Sequence, residues 1–209
     1  PLTKHMTSES PSVNRLGMLL LVSGPSGSGK TTLCRQAEDA GIANYATSCT
    51  TRDPRPGEVH GTDYFFLTME VFKQKIENHD LLEYAEVHGN FYGTLKSEVF
   101  THIEAGRDVV MDIDVQGADL IRNCTDPLIQ QALVELFVLP QNEVELRARL
   151  TGRGTDSDEI IETRMRNSLE EMQHWDKYTY RILSSDRETD YKKFQAILTA
   201  ESLNVSRLK

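Results

Sequence analysis

Gly24-Pro25-Ser26-Gly27-Ser28-Gly29-Lys30-Thr31 fits the pattern G-x-x-x-x-G-K-[ST], and its surroundings give the pattern a meaning. Ahead of it, Met18-Leu19-Leu20-Leu21-Val22 is an apolar run of strand length. Behind it, Thr32 to Glu38 carries no breaker before Gly41, which predicts a helix. A strand, a glycine loop and a helix in that order make a cradle for phosphate. The glycines let successive N–H groups face one anion, and the helix N-terminus adds partial positive charge. Lys30 is placed to reach the β- and γ-phosphates, and the Thr31 hydroxyl to hold Mg2+. The stretch predicts a nucleoside triphosphate site.

Outward from the loop, Val109 to Ile113 and Leu133 to Val138 read as two more buried strands, the second ended by Pro140. Glu143 to Leu150 and Ser157 to Trp175 read as helices, Ile182-Leu183 as a last short strand, and a C-terminal helix is predicted from about Tyr191. Such alternation implies a three-layer α/β core, a parallel sheet covered on both faces. Residues 46–95 break the rhythm with a polar loop, strand-like Tyr64-Phe65-Phe66, a helix around Val71 to Glu77, and strand-like Leu81 to Val87. A Gly89-Asn90 turn then precedes Tyr92-Gly93. This predicts a mixed lobe with antiparallel strands inserted into the core. The expected division is core 16–45, 96–141 and 176–209, inserted lobe 46–95, helical lid 142–175, and a disordered tail 1–15. Within that tail His5-Met6 reads like a cloning-vector junction.

Composition narrows the class. No apolar run approaches the roughly 18 residues that span a membrane, so a cytoplasmic protein without a membrane partner is expected. The net charge of −9 argues against nucleic acid as a partner. Cys34, Cys49 and Cys124 are odd in number and lack C-x-x-C spacing, which predicts reduced thiols and no zinc site. Oligomeric state leaves no mark here.

Ser48-Cys49-Thr50-Thr51-Arg52-Asp53-Pro54-Arg55-Pro56-Gly57-Glu58 sets two guanidinium groups three residues apart on a stretch that two prolines keep extended. The planar forks of Arg52 and Arg55 suit a monophosphate clamp, though solvated surface arginines would read the same way. Asp112 and Asp114 close an apolar strand at i and i+2 and are expected on one face, at the edge that carries the phosphate loop. Either could instead cap a helix starting near Val115. A phosphoryl transfer must exclude water, so a closing lid with positive charge is expected, and Arg149, Arg153 and Arg164 fit it.

Together these motifs resemble guanylate kinases. The likeness rests on Thr50 to Glu58, Gly61-Thr62-Asp63-Tyr64-Phe65-Phe66, Leu82 to Thr94, Asp112-Ile113-Asp114-Val115-Gln116-Gly117 and Arg149 to Thr155, in order from about residue 18 to 186. The resemblance implies transfer of the γ-phosphoryl group of ATP to GMP, and to dGMP, with Mg2+, in purine nucleotide metabolism. It implies ATP at Gly24 to Thr32, and the GMP phosphate against Arg52, Arg55, Tyr64 and Tyr92. Guanine would meet Ser48, Glu83 and Thr94, with Asp112 nearby and Asp114 on the metal through water. Arg149, Arg153 and Arg164 would bridge the phosphates beside Lys30. Ser184-Ser185-Asp186 departs from the asparagine and acidic residues common near the adenine. A related kinase with another acceptor, or a guanylate-kinase-like scaffold that binds partner proteins, remains open at this point. An intact loop argues against the scaffold, and a guanine-edge carboxylate against a sugar phosphate.

Overall fold

The computed structural model describes residues 15–87, 89–151 and 158–208. β1 (Leu19–Ser23) leads through the glycine loop into α1 (Lys30–Asp39) and the short β2 (Asn44–Tyr45). The inserted stretch supplies β3 (Ser48–Thr50), β4 (Phe65–Phe66), α2 (Met69–Glu77), β5 (Leu81–Val87) and β6 (Asn90–Leu95). α3 (Lys96–Glu104) returns the chain to β7 (Val109–Asp112), α4 (Val115–Arg122), α5 (Pro127–Ala132) and β8 (Leu133–Leu139). Then come α6 (Glu143–Thr151), α7 (Asp158–Met172), β9 (Tyr180–Leu183) and α8 (Arg187–Ser202).

The core sheet runs β2-β7-β1-β8-β9 with every pairing parallel. β1 lies at its centre and is buried along its whole length, which is why its sequence is a continuous apolar run rather than an alternation. Leu20 and Val22 pack with Leu33 and Cys34 of α1 and Phe194 of α8. Leu19 and Leu21 face Ile103 of α3, Ile121 of α4 and Ile129 of α5. This is the expected three-layer α/β core. A second sheet, β4-β3-β6-β5, is mixed, with β3 and β4 parallel and the other pairs antiparallel. It closes over its own small core of Cys49, Phe72 and Leu81. The helices α6 and α7 have a third, of Leu146, Leu150, Ile161 and Met165.

Several details depart from the sequence reading. Ser48-Cys49-Thr50 forms β3 where a polar loop is expected, because pairing with β6 supplies the order that three small residues do not. α3 and α5 are short, and their fully buried positions, Val99 with Ile103 and Ile129 with Ala132, span too little chain to show a helical period. α8 begins at Arg187 rather than near Tyr191, since the Asp186 side chain accepts from the Thr189 N–H at 2.9 Å and caps it. Arg15, assigned to the tail, is held by Asp108 at 2.8 Å and the Gly106 carbonyl at 3.0 Å. Residues 1–14 lie outside the described part. No described helix is long and apolar enough to cross a membrane, and the three cysteines are free thiols.

Phe137 on β8 is fully buried and meets the Tyr178 ring edge-on at 5.0 Å between centroids. Phe137→Ala should therefore lower stability by about 3–5 kcal/mol, read as a denaturant midpoint shift at unchanged slope.

Candidate active site

The phosphate loop hangs from the carboxyl end of β1. Gly24 has φ +142°, and a Cβ there would lie 2.2 Å from the Val138 carbonyl oxygen, so only glycine lets the loop turn against β8. Gly29 ends the loop at φ +98° as the N-cap of α1, and no side chain caps that helix. Its first N–H groups are thus left facing the loop, in the geometry that suits an anion. Lys30 folds back and donates to the Gly24 carbonyl at 2.6 Å and the Pro25 carbonyl at 3.0 Å. Burial pushes its ammonium below the ordinary lysine range, with Asp112 opposing. Ser26, Gly27, Gly29, Lys30, Thr31, Thr32, Asp112 and Arg149 line a cavity of about 390 Å3 over the loop.

The two aspartates border one cavity but make different contacts. β7 ends at Asp112, so the i, i+2 alternation stops before it reaches Asp114. Asp112 accepts from the Thr31 hydroxyl through Oδ2 and from the Tyr45 hydroxyl through Oδ1. Asp114 caps α4, accepting from the Gly117 N–H at 2.7 Å, and lines the acceptor-side cavity. Asp112 is the carboxylate beside Thr31, and it also borders the cavity of Ser48 and Glu83 together with Asp114. Among the described residues no group of three or more His, Cys, Asp or Glu could hold a metal ion. Thr31 and Asp112 instead offer two hard oxygens facing the phosphate cavity, a partial set that suits Mg2+ completed by phosphate and water.

α6 and α7 reach the loop directly. Arg149 donates to the Gly27 and Ser28 carbonyls at 3.4 and 3.3 Å, to Glu145, and to the Ser184 hydroxyl at 3.0 Å. Arg164 donates to the Ser26 hydroxyl at 2.9 Å. Arg153 lies outside the described residues. Beside Arg149 a cavity of about 250 Å3 is lined by Ser28, Thr32, Ser184, Ser185, Arg187 and Asp190. Asp190, only 7% exposed, accepts from the Ser184 hydroxyl at 2.7 Å and the Ser185 N–H at 2.9 Å. The acidic residue behind the two serines is therefore Asp190, while Asp186 is spent on the helix cap. Its place in the acidic first turn of α8 was the one available signal.

Across β7 lies the acceptor-side cavity, about 250 Å3, lined by Ser48, Tyr64, Glu83, Tyr92, Asp112 and Asp114 among others. In the sheet register Ser48 pairs with Thr94, and Thr94 with Glu83, so the three side chains form one row across β3, β6 and β5. A bulge puts Glu83 there. Leu81 pairs with Leu95, and regular pairing from that point would set Glu83 opposite Gly93, toward Phe72. The extra residue shifts the alternation and turns Glu83 to the cavity. The Thr94 hydroxyl donates to Glu83 at 2.8 Å. Burial lifts the Glu83 carboxyl to about 7 against this hydrogen bond. Tyr64 and Tyr92 meet edge-on at 6.2 Å.

Arg52 and Arg55 flank this cavity without lining it. Arg52 pairs in bidentate fashion with Glu58 at 2.8 and 3.0 Å and lies over the Tyr64 ring. Glu58 also accepts from the Arg55 N–H at 2.7 Å, and these contacts hold its carboxyl down at about 2, while its pairing raises Arg52. Glu58 and Tyr45 are functional neighbours that the motif reading passed over. Glu58 stood inside the quoted run; Tyr45 had no sequence signal.

The family model described as guanylate kinase matches residues 17–201. A guanylate kinase of Paramagnetospirillum magneticum is 44% identical over 206 residues, covering 97% of this chain and 93% of that protein. A guanylate kinase of Fusobacterium nucleatum is 46% identical over 173 residues, covering 83% and 91%. The crystal structure of guanylate kinase from Anaplasma phagocytophilum superposes with a TM-score of 0.75 at 28% identity, covering 94% of this chain and 92% of that one.

Removing the Thr94 hydroxyl tests the row. Thr94→Val keeps the shape but takes away the bond that favours the ionised carboxylate, so Glu83 should titrate higher than its present value of about 7. Carbon-13 NMR of the glutamate carboxyls reads the shift directly; an unmoved titration would refute the coupling.

Proposed function

Because the chain belongs to the guanylate kinase family, we propose that the cavities over the loop and beside Arg149 take ATP and the cavity of Ser48 and Glu83 takes GMP, that dGMP serves in place of GMP, and that Mg2+ accompanies the donor. The observation that carries this reading is the Ser48–Thr94–Glu83 row. Guanine presents N1–H and N2–H2 side by side, and the two oxygens of Glu83 accept both. Ser48 donates to O6, while Thr94 fixes the carboxylate. Adenine has no hydrogen on N1 and would leave Glu83 facing a lone pair. Sites built to pair a donor reject analogues lacking it by about 10⁴–10⁵.

Around that base the remaining roles follow from charge. Arg52, oriented by Glu58, joins Arg55 and the hydroxyls of Tyr64 and Tyr92 on the GMP phosphate. Gly24 to Thr32 hold the ATP phosphates, with Lys30 exchanging the loop carbonyls for phosphate oxygens. Thr31 and Asp112 hold Mg2+, which when bound neutralises charge on the β- and γ-phosphate oxygens. Asp114 borders the GMP cavity and keeps α4 in place. Arg149 and Arg164 already touch the loop, and with Arg153 they stabilise the migrating group and exclude water. No general base is needed, since the GMP phosphate is already ionised near neutral pH. The lobe 46–95 and the lid 142–175 act as the acceptor-binding and closing parts of the core 16–45, 96–141 and 176–209. The role is in cytoplasmic purine nucleotide metabolism.

ADP release with Mg-ATP should occur with GMP and dGMP and not with AMP, CMP or UMP; turnover with AMP at a comparable rate would overturn the assignment of Glu83. GMP affinity should weaken about tenfold per pH unit as pH falls below about 7, because only ionised Glu83 accepts both donors. Glu83→Gln should bind GMP weakly and lose that dependence. Since the ionisation of GMP itself is common to both proteins, the difference between the two profiles isolates Glu83.

A further inference from the structure

We propose that Tyr45 is a positioning residue for the phosphoryl transfer, one that locks the Asp112 carboxylate so that a single oxygen is presented to Thr31 and the metal beside it. The inference rests on the reading of Thr31 and Asp112 as the Mg2+ site. An aspartate at the end of a strand can turn about its last torsion and present either oxygen. Here both oxygens are committed: Oδ1 to the Tyr45 hydroxyl and Oδ2 to the Thr31 hydroxyl.

The backbone sets up this contact. β2 pairs in parallel with β7 so that Tyr45 lies opposite Val110, and Asp112 is two residues further along the same face. The phenol therefore runs beside the strand and meets the carboxylate at its end. The ring cannot swing away, because its edge packs on the apolar layer under α1 and the Arg35 guanidinium lies over its face at 3.7 Å. Arg35 is in turn held by Glu38 at 2.8 Å and donates to the Thr62 carbonyl in the inserted lobe. Lys30 and Cys34 are the other titratable groups of α1 facing Asp112, and Tyr64 faces it from the lobe. A phenylalanine would fill the same space with the same ring. The hydroxyl is what the packing alone does not ask for.

Calorimetric binding of ADP with and without MgCl2 separates this role from a structural one. In the unaltered protein Mg2+ should tighten ADP binding. In Tyr45→Phe that gain should shrink about tenfold, on the scale of one lost charge-assisted hydrogen bond, while ADP affinity without metal stays the same. Turnover should fall with KM for GMP unchanged. Arg35→Gln, which frees the ring but keeps the hydroxyl, should reduce the gain by a smaller factor and provides a second variant should the first fail to fold. In an Asp112→Asn background Tyr45→Phe should add nothing, because its action passes through that carboxylate. A lower unfolding temperature with the full Mg2+ gain retained in both variants overturns the inference and leaves the kinase reading intact. An unaltered protein whose ADP affinity ignores Mg2+ overturns the metal assignment and this inference with it.

Discussion

Every strand of the core sheet runs the same way, and the placement of the chemistry depends on that. A parallel sheet delivers the carboxyl ends of all its strands to one edge. β1 leads into the phosphate loop, β7 ends at Asp112, β9 leads into Ser184, and β8 leads into the turn before α6, which carries Arg149. Groups far apart in sequence therefore meet without long connections, while helices on both faces shield the strands and make the apolar runs necessary. The second sheet contributes what this edge lacks, a row of polar side chains fixed by cross-strand pairing.

The chain carries nine more formal negative charges than positive ones, yet its candidate site gathers Lys30, Arg52, Arg149 and Arg164. Each of these cations is held by neutral or acidic groups of the protein: loop carbonyls for Lys30, Glu58 for Arg52, Glu145 and Ser184 for Arg149, Ser26 for Arg164. Such contacts fix the cations in direction before any anion arrives. An anion that displaces carbonyl dipoles from Lys30 gains a full charge interaction for a partial one, which favours phosphate over weaker anions. Positive charge is thus concentrated at the candidate site of a chain whose net charge is negative.

The phosphate loop was legible because its signal is local: strand, glycines, lysine and helix sit within one continuous stretch. The polar row of the second sheet was legible only through a resemblance spread along the chain, since nothing in the order of Ser48, Glu83 and Thr94 reveals that they stand together. The different contacts of the two aspartates have a definite reason. The alternation of side chains holds while a strand lasts, and β7 ends at Asp112, two residues before the helix cap at Asp114. Asp190 was hidden similarly: Ser184-Ser185-Asp186 reads as a contiguous unit, whereas the helix turn brings the residue four further on to the serines. Tyr45 lay beyond reach because its partner comes from a neighbouring strand. Sequence proximity captured contacts made within an element and missed those made across elements.

The bulge in β5 has a mechanical consequence. Adjacent residues there are rooted in different bodies: Leu81 in the small core of the lobe, Leu82 in the main core beneath β1 and β7. A strand rooted in both cores ties the Ser48–Thr94–Glu83 row to the main sheet through the residue next to Glu83, so any displacement of that row strains two cores at once rather than one.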